Sequence, residues 1–230
     1  MGSTRSLQRI LLVFPSCNVK IFGNNEGIGA QKEKTIAAPL GLLYLATELL
    51  DAGYAVEACD FNAEDYSDEA MLRYLEGVDL VGISILSFNR DNAYETIRRI
   101  NSMKPGISII AGGPDCMLHP RLIPGTKLTV VQEAEKIIVD IVDAVLTKRD
   151  LSTVPGILFP DPISGELREG APYTCIDDLD TIKFPRRDLL RCNKGYNIIG
   201  EKTSQKITSL ITSRGCPKRC RFCAHNALAY

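Results

Sequence analysis

Apolar residues recur along the first two thirds of the chain with two alternating periods. Short, mostly apolar runs stand at 9–15, 54–60, 78–86, 107–111 and 128–131, and helix-like stretches with apolar positions three and four apart separate them. The runs predict strands of a parallel sheet buried on both faces, and the spaced stretches predict amphipathic helices. Pro39 stands near the first turn of the first helix, whose Leu42, Leu43, Leu45, Ala46, Leu49 and Leu50 recur with a period near 3.6 before Gly53 ends it. Further helices are expected over 68–76, over 90–103 with Ala93, Ile97 and Ile100 inward, and over 134–147 with Ile137, Ile138, Ile141, Val142 and Val145 on one side. Strands separated by helices of this size imply right-handed crossovers and helices on both faces of the sheet. The expected fold class is α/β, with a doubly wound parallel five-stranded sheet over residues 1–150.

After Arg149 the rhythm changes. Apolar pieces at 155–159 and 165–167, with turn residues Asp161-Pro162 and Ser164-Gly165 between them, predict a small hairpin. Residues 171–206 show little periodicity and read as an extended linker, so 151–206 is taken as hairpin and linker. A new strand is expected from Lys206 to Thr212. Between the first strand and the first helix lies a loop containing Gly23, Asn24, Asn25, Gly27 and Gly29, longer than a normal connection and therefore either a functional lid or a mobile segment.

Composition narrows the function classes. A net charge of -1 gives no electrostatic reason to expect nucleic acid or an anionic membrane as partner. The apolar runs fall far short of the roughly 20 residues a spanning helix needs, and the polar N-terminus has no signal-peptide pattern. A cytoplasmic location is expected. Of eight cysteines, Cys17, Cys59, Cys116, Cys175 and Cys192 have no metal-ligand spacing among themselves and read as small hydrophobes. Disulfides are not expected in such a protein.

The other three stand in Ser213-Arg214-Gly215-Cys216-Pro217-Lys218-Arg219-Cys220-Arg221-Phe222-Cys223. Three thiolates in one tight loop, with no fourth cysteine downstream, would hold a cuboidal iron-sulfur cluster with one iron open to a small molecule. Zinc is the competing metal; it wants four closed ligands, and His225 is the local candidate for the fourth. Arg214, Lys218, Arg219 and Arg221 would partly offset the charge of a thiolate-bound cluster, although a solvated basic loop explains them equally well.

The Cys-x-x-x-Cys-x-Phe-Cys pattern, led in by Thr212-Ser213-Arg214-Gly215, resembles the cluster loop of radical S-adenosylmethionine (radical SAM) enzymes. That resemblance implies Cys216, Cys220 and Cys223 as ligands of a [4Fe-4S] cluster, with Phe222 near the adenine of S-adenosylmethionine. In the family the open iron chelates S-adenosylmethionine, whose reduction gives a 5′-deoxyadenosyl radical. Upstream, residues 38–46, Gly112-Gly113-Pro114, Gln132-Glu133-Ala134-Glu135, 176–180 and Phe184-Pro185-Arg186-Arg187 resemble the cobalamin-binding branch of that superfamily. The implied fold is a Rossmann-like, cobalamin-binding-type domain at 1–150, with the first strand and cluster loop of an incomplete radical SAM barrel at 207–230. The chain is expected to be truncated just after the loop.

Ligands of open parallel sheets sit beyond the carboxyl ends of strands, where Ser16, Cys17, Asn18, Ser87, Asn89, Gly112, Gly113 and Glu133 are expected as cobalamin contacts. Gly112 and Gly113 would let backbone approach a large planar ligand, or simply serve a tight turn. Two departures from the family stand out. Asp115 occupies a position where family members often carry histidine, and Gln132-Glu133-Ala134-Glu135 replaces a more usual Gly-Glu-Gly-Glu. The resemblance implies a cobalamin-dependent radical SAM enzyme, a methyltransferase or a catalyst of radical rearrangement on an unidentified small molecule, served by an electron donor such as a flavodoxin or ferredoxin. A corrin-binding module without catalysis of its own, a nonfunctional fragment and a zinc-binding α/β protein are the alternatives; the catalytic residues are not identified by the sequence.

Overall fold

The structure is a computed structural model that describes residues 8–17, 37–64, 66–191, 196, 208–218 and 220–223. Asn18, the glycine-rich loop at 23–29, Cys192, Arg219 and His225 lie outside the described residues. Strand β1 (Arg9–Phe14) shows why the apolar runs form a central sheet. Successive side chains point to opposite faces, so Ile10 and Leu12 enter one core while Leu11 and Val13 enter the other. No side of this strand faces water, which suits the interior of a parallel sheet.

The chain continues through α1 (Leu40–Asp51), β2 (Ala55–Asp60), α2 (Asp68–Leu75), β3 (Leu80–Ser84), α3 (Arg90–Met103) and β4 (Ser108–Gly112). A five-residue helix α4 (Pro114–Leu118), strand β5 (Leu128–Val130) and α5 (Ile138–Thr147) follow, and then β6 (Ile157–Pro160) and β7 (Leu167–Glu169). The strand order is β2-β1-β3-β4-β5-β6-β7, with β1 to β5 mutually parallel. Helices α1 and α5 pack on one face and α2 and α3 on the other, which is the doubly wound arrangement.

Local chemistry sets the element ends. Ser67 caps α2 by accepting a 3.0 Å hydrogen bond from the Ala70 amide, with Asp68 and Glu69 complementing the helix dipole in the first turn. Gly53, at φ +97°, closes α1 in the left-handed region that glycine enters without a Cβ penalty. Helix α5 starts later than its periodicity suggests. The Ala134 carbonyl takes both the Ile137 and the Ile138 amides, and residues 134–137 form a turn instead of helix.

Two expectations are corrected. The hairpin is present but not separate: β6 pairs antiparallel with β5 and β7 with β6, which extends the five parallel strands to a seven-stranded sheet. Ile157 and Phe159 join the α1/α5 core, so burial of their side chains drives the pairing. The strand expected at 206–212 is not formed over 208–212, which pairs with no other described strand, and a strand exists only as a member of a ladder.

The linker is anchored along much of its length. The Arg186 amide donates to the Thr47 hydroxyl on α1 at 2.8 Å, and Lys183 reaches Asp51 at 2.7 Å. Leu190 is buried, and its bridge to Ala58 lies on the outer edge of β2. The segment therefore runs across α1 from the β7 side of the domain to the opposite edge. The guanidinium of Arg187 then donates to the carbonyl of Ser209, which ties the linker to the approach of the cysteine loop.

Candidate functional site

In a sheet of order 2-1-3-4-5 the connections leaving β1 and β3 go to opposite faces, and a crevice opens at the carboxyl edge where they part. A cavity of about 240 Å³ lies at that edge, on the α1/α5 side. Its floor is apolar, from Leu12, Ile110 and Val130, and Leu42 and Leu45 of α1 form one wall. Two glycines help to make the space. Gly41, in the first turn of α1, has nothing within 4 Å of where a Cβ would stand, and a Cβ on Gly82 would come within 2.7 Å of a Leu12 methyl. An engineered apolar cavity of about 150 Å³ accommodates benzene; the half-open cleft here is larger.

Gly112 and Gly113 line the same cleft. A Cβ on Gly113 would stand 2.7 Å from the Ile85 carbonyl oxygen, and its φ is +106°. Close packing of β4 on the end of β3 therefore requires glycine there whether or not a ligand is bound. The exit from β5 supplies the polar rim. Arg214 donates to Glu133 at 3.0 Å and to Glu135 at 2.6 Å, and its guanidinium lies 5.4 Å from the centroid of the Tyr44 ring. Burial alone would lower the Arg214 pKa, but the two carboxylates, Glu135 foremost, raise it above the ordinary value. Its charge is thus engaged by the domain, so the sequence expectation that it offsets a cluster gives way to a structural role.

The remaining strand-end residues form a separate network that braces the exit of β1. Asn89 is buried, accepts from the Leu86 amide at 2.7 Å and donates to the Pro15 carbonyl at 3.4 Å. Asn92 donates to the Ser16 carbonyl, and the Cys17 amide donates to Asn62 at 2.6 Å. Burial pushes the Cys17 thiol up to about 11, so it is no nucleophile at neutral pH. Asp60, at the end of β2, is raised by burial against the lowering effect of hydrogen bonds from Asn62 and Tyr196.

Asp115 points to the α2/α3 side. Its carboxylate is wholly buried, pairs with Arg90 and, at 2.6 Å, with Arg121, and accepts from the Ser87 hydroxyl at 3.2 Å. Burial would raise its pKa, yet the two guanidinium groups hold it down at about 2. Ser87 therefore belongs to an ion-pair network. Of the residues expected at the strand ends, Gly112, Gly113 and Glu133 line the cleft; Ser16, Cys17, Ser87 and Asn89 serve the two bracing networks. The sequence reading missed Gly41, Gly82 and Glu135 as cleft residues, although a glycine in the first turn of an apolar helix and another inside an apolar strand were visible signals.

Cys216 and Cys220 are exposed and Cys223 is half-buried, with the Cys223 amide donating to the Cys220 carbonyl at 3.0 Å. Among the described residues no three His, Cys, Asp or Glu side chains are gathered as a metal-ligand set. The donor set still suits an iron-sulfur cluster, because three thiolates repel one another until a metal is present and such sites form with the metal. Phe222 is 94% exposed, so its ring is not packed against the described residues.

Comparison with known proteins agrees with this geometry. Residues 29–142 match the B12 binding domain family. The chain is 30% identical over 224 residues to an uncharacterized methyltransferase, PH0819, of Pyrococcus horikoshii, covering 95% of this chain and 45% of that protein. It is 25% identical to cytidylyl-2-hydroxyethylphosphonate methyltransferase of Streptomyces wedmorensis, covering 96% of this chain and 48% of that protein. The chain thus spans about half the length of these curated relatives. Its fold is similar to that of the radical S-adenosylmethionine methyltransferase TsrM of Kitasatospora setae, solved with cobalamin and a [4Fe-4S] cluster, at a TM-score of 0.58 and 20% identity over 79% of this chain and 32% of that one. No helix among the described residues is long and apolar enough to cross a membrane.

Proposed function

We propose, from the match of residues 29–142 to the B12 binding domain family, that the chain is the corrinoid-binding and cluster-loop portion of a cobalamin-dependent radical SAM methyltransferase. One observation carries the reading: the apolar cleft at the carboxyl edge of the sheet is walled in part by Ile211 and Arg214, from the segment that leads into the three cysteines. The proposed corrinoid site thereby adjoins the segment that leads to the proposed cluster loop.

The cleft would take an apolar, aromatic arm of the corrinoid between Leu42, Leu45, Ile110 and Val130, with Gly82 leaving room for it. Gly112 and Gly113 would let the bulk of the ligand rest against backbone. Cys216, Cys220 and Cys223 would hold the cluster, and Phe222 would lie along the adenine of S-adenosylmethionine. When bound, these cofactors supply methyl-carrying and one-electron chemistry, and the protein supplies their orientation and the exclusion of water. The relatives named as methyltransferases favour methyl transfer over rearrangement.

Lys218 and Arg221 are exposed beside the thiols, a surface suited to an acidic one-electron donor such as a flavodoxin or ferredoxin. An exposed thiolate loop calls for a reducing compartment, and we assign the protein to the cytoplasm on that basis. A small-molecule substrate is favoured by the relative named for cytidylyl-2-hydroxyethylphosphonate, and the net charge of -1 gives no electrostatic footing to nucleic acid or an anionic membrane. A second reading, a corrin-holding module that does not catalyse by itself, is favoured by the family match, which covers residues 29–142 and not the cysteine loop.

Anaerobic reconstitution with iron and sulfide, followed by visible spectroscopy and an S-adenosylmethionine cleavage assay, separates the two. A cluster that cleaves S-adenosylmethionine supports the enzyme; cobalamin retention without cleavage leaves the module. Failure to retain hydroxocobalamin through gel filtration would remove both.

A further inference from the structure

We propose that Arg214 is a positioning residue that couples the contents of the cleft to the placement of the cysteine loop. The inference rests on the reading of the cleft as a corrinoid site and of the loop as a cluster site. One side chain makes every connection the coupling needs. Its two terminal nitrogens bind Glu133 and Glu135 at the exit of β5, its cationic plane lies near Tyr44 of α1, and the residue lines the cleft.

Two residues further on is Cys216, and the residue between them, Gly215, has φ +79°. That backbone turn is open to glycine and costly for other residues, and it leads the chain from Arg214 to the first thiol. Among the described residues, 208–216 belongs to no strand, and its side-chain and carbonyl ties to the domain are those of Arg214 and the Arg187 bond to the Ser209 carbonyl. A ligand that enters the cleft meets Ile211 and Arg214 directly.

The electrostatics make the tie two-sided. Arg214 is 15% exposed, and the glutamates are 9% and 8% exposed. Removing the cation takes from two neighbouring, nearly buried carboxylates the guanidinium that both accept from, which low-dielectric surroundings penalise. The stretch 132–135 would shift, and it forms part of the cleft wall. By linkage, whatever strengthens the clamp when the cleft fills must also strengthen cleft binding when the loop is fixed.

Hydrogen–deuterium exchange of the 230-residue chain tests the clamp before any cofactor is added. Arg214→Met is expected to raise exchange at the two hydrogen-bonded segments that flank the glutamates, the Val131 amide on Gly156 and the Ile137 and Ile138 amides on Ala134, by about tenfold or more, Arg214→Lys by less, and the exposed Lys218→Met not at all. Unchanged protection in Arg214→Met would overturn the clamp. Should Arg214→Met fail to fold by circular dichroism, Glu135→Gln, which keeps the side-chain shape, is expected to raise exchange in the same two segments, and no rise would again overturn it. With hydroxocobalamin bound, the wild type should gain protection over 209–216 while Arg214→Met binds more weakly and shows no such gain. Cobalamin bound with no change at 209–216 overturns the coupling alone. A wild type that binds no cobalamin overturns the cleft reading and the coupling together, while the cofactor-free exchange still reports on the clamp.

Discussion

Replacing Gly41 by alanine should move stability and ligand binding in opposite directions. Gly41 is in the first turn of α1, and a Cβ there meets no atom within 4 Å. In the free protein the change removes backbone entropy from the unfolded chain without a clash, a gain of about 0.5–1 kcal/mol. For a chain of this size that corresponds to a rise in Tm of about 1–4 °C. The empty space is the cleft itself, so the added methyl intrudes where the ligand is expected. Forcing one methyl group into a filled site costs about 1–3 kcal/mol, which weakens the Kd by about 5-fold to 150-fold. Scanning fluorimetry of the free chain gives the first quantity, and anaerobic titration with hydroxocobalamin followed by visible absorbance gives the second. A lower Tm would show that the position is not open. A higher Tm with an unchanged Kd would show that the ligand binds elsewhere.

Other expectations concern the loop, the ion-pair network and the core. Cys220→Ala should abolish iron and sulfide uptake on reconstitution while leaving the circular dichroism spectrum unchanged; retained iron would remove Cys220 from the ligand set. Asp115→Asn should cost about 2 kcal/mol in urea unfolding at pH 7, because it breaks charged hydrogen bonds to Arg90 and Arg121 around a buried carboxylate. Asp115 has a folded pKa of about 2, below the unfolded value of about 3.9. Its contribution is therefore complete above pH 4 and fades as pH falls towards 2, so the gap between wild type and variant should narrow at pH 3. Leu43→Ala, at a fully buried position between α1 and the sheet, should lower unfolding free energy by about 2–5 kcal/mol.

The parallel part of the fold was legible because its signal is local. Every residue of β1 from Ile10 to Val13 is buried, so an unbroken apolar run stands for each inner strand. The hairpin was legible as a hairpin, but its addition to β5 was not. That pairing depends on an unoccupied strand edge and on Ile157 and Phe159 meeting a core assembled from α1 and α5. The linker looked featureless because its anchors, such as the Arg186 amide on Thr47, join residues 139 positions apart.

At the site, the strand-end rule located Gly112, Gly113 and Glu133 in the right place. It could not separate them from Asn89 and Ser87, because both sets leave strands at the same edge and differ only in what they touch. Arg214 was read by its neighbours in sequence, the cysteines. Its partners in space, Glu133 and Glu135, stand about eighty residues earlier, and charge pairing at that separation leaves no local pattern.

Titration of the anaerobic 230-residue chain with hydroxocobalamin, combined with hydrogen–deuterium exchange of the complex, tests the central claim most directly. Stoichiometric binding with new protection at 41–45, 110–114 and 132–135 is the predicted result. No binding, or binding with protection confined to other segments, would contradict the assignment of the cleft.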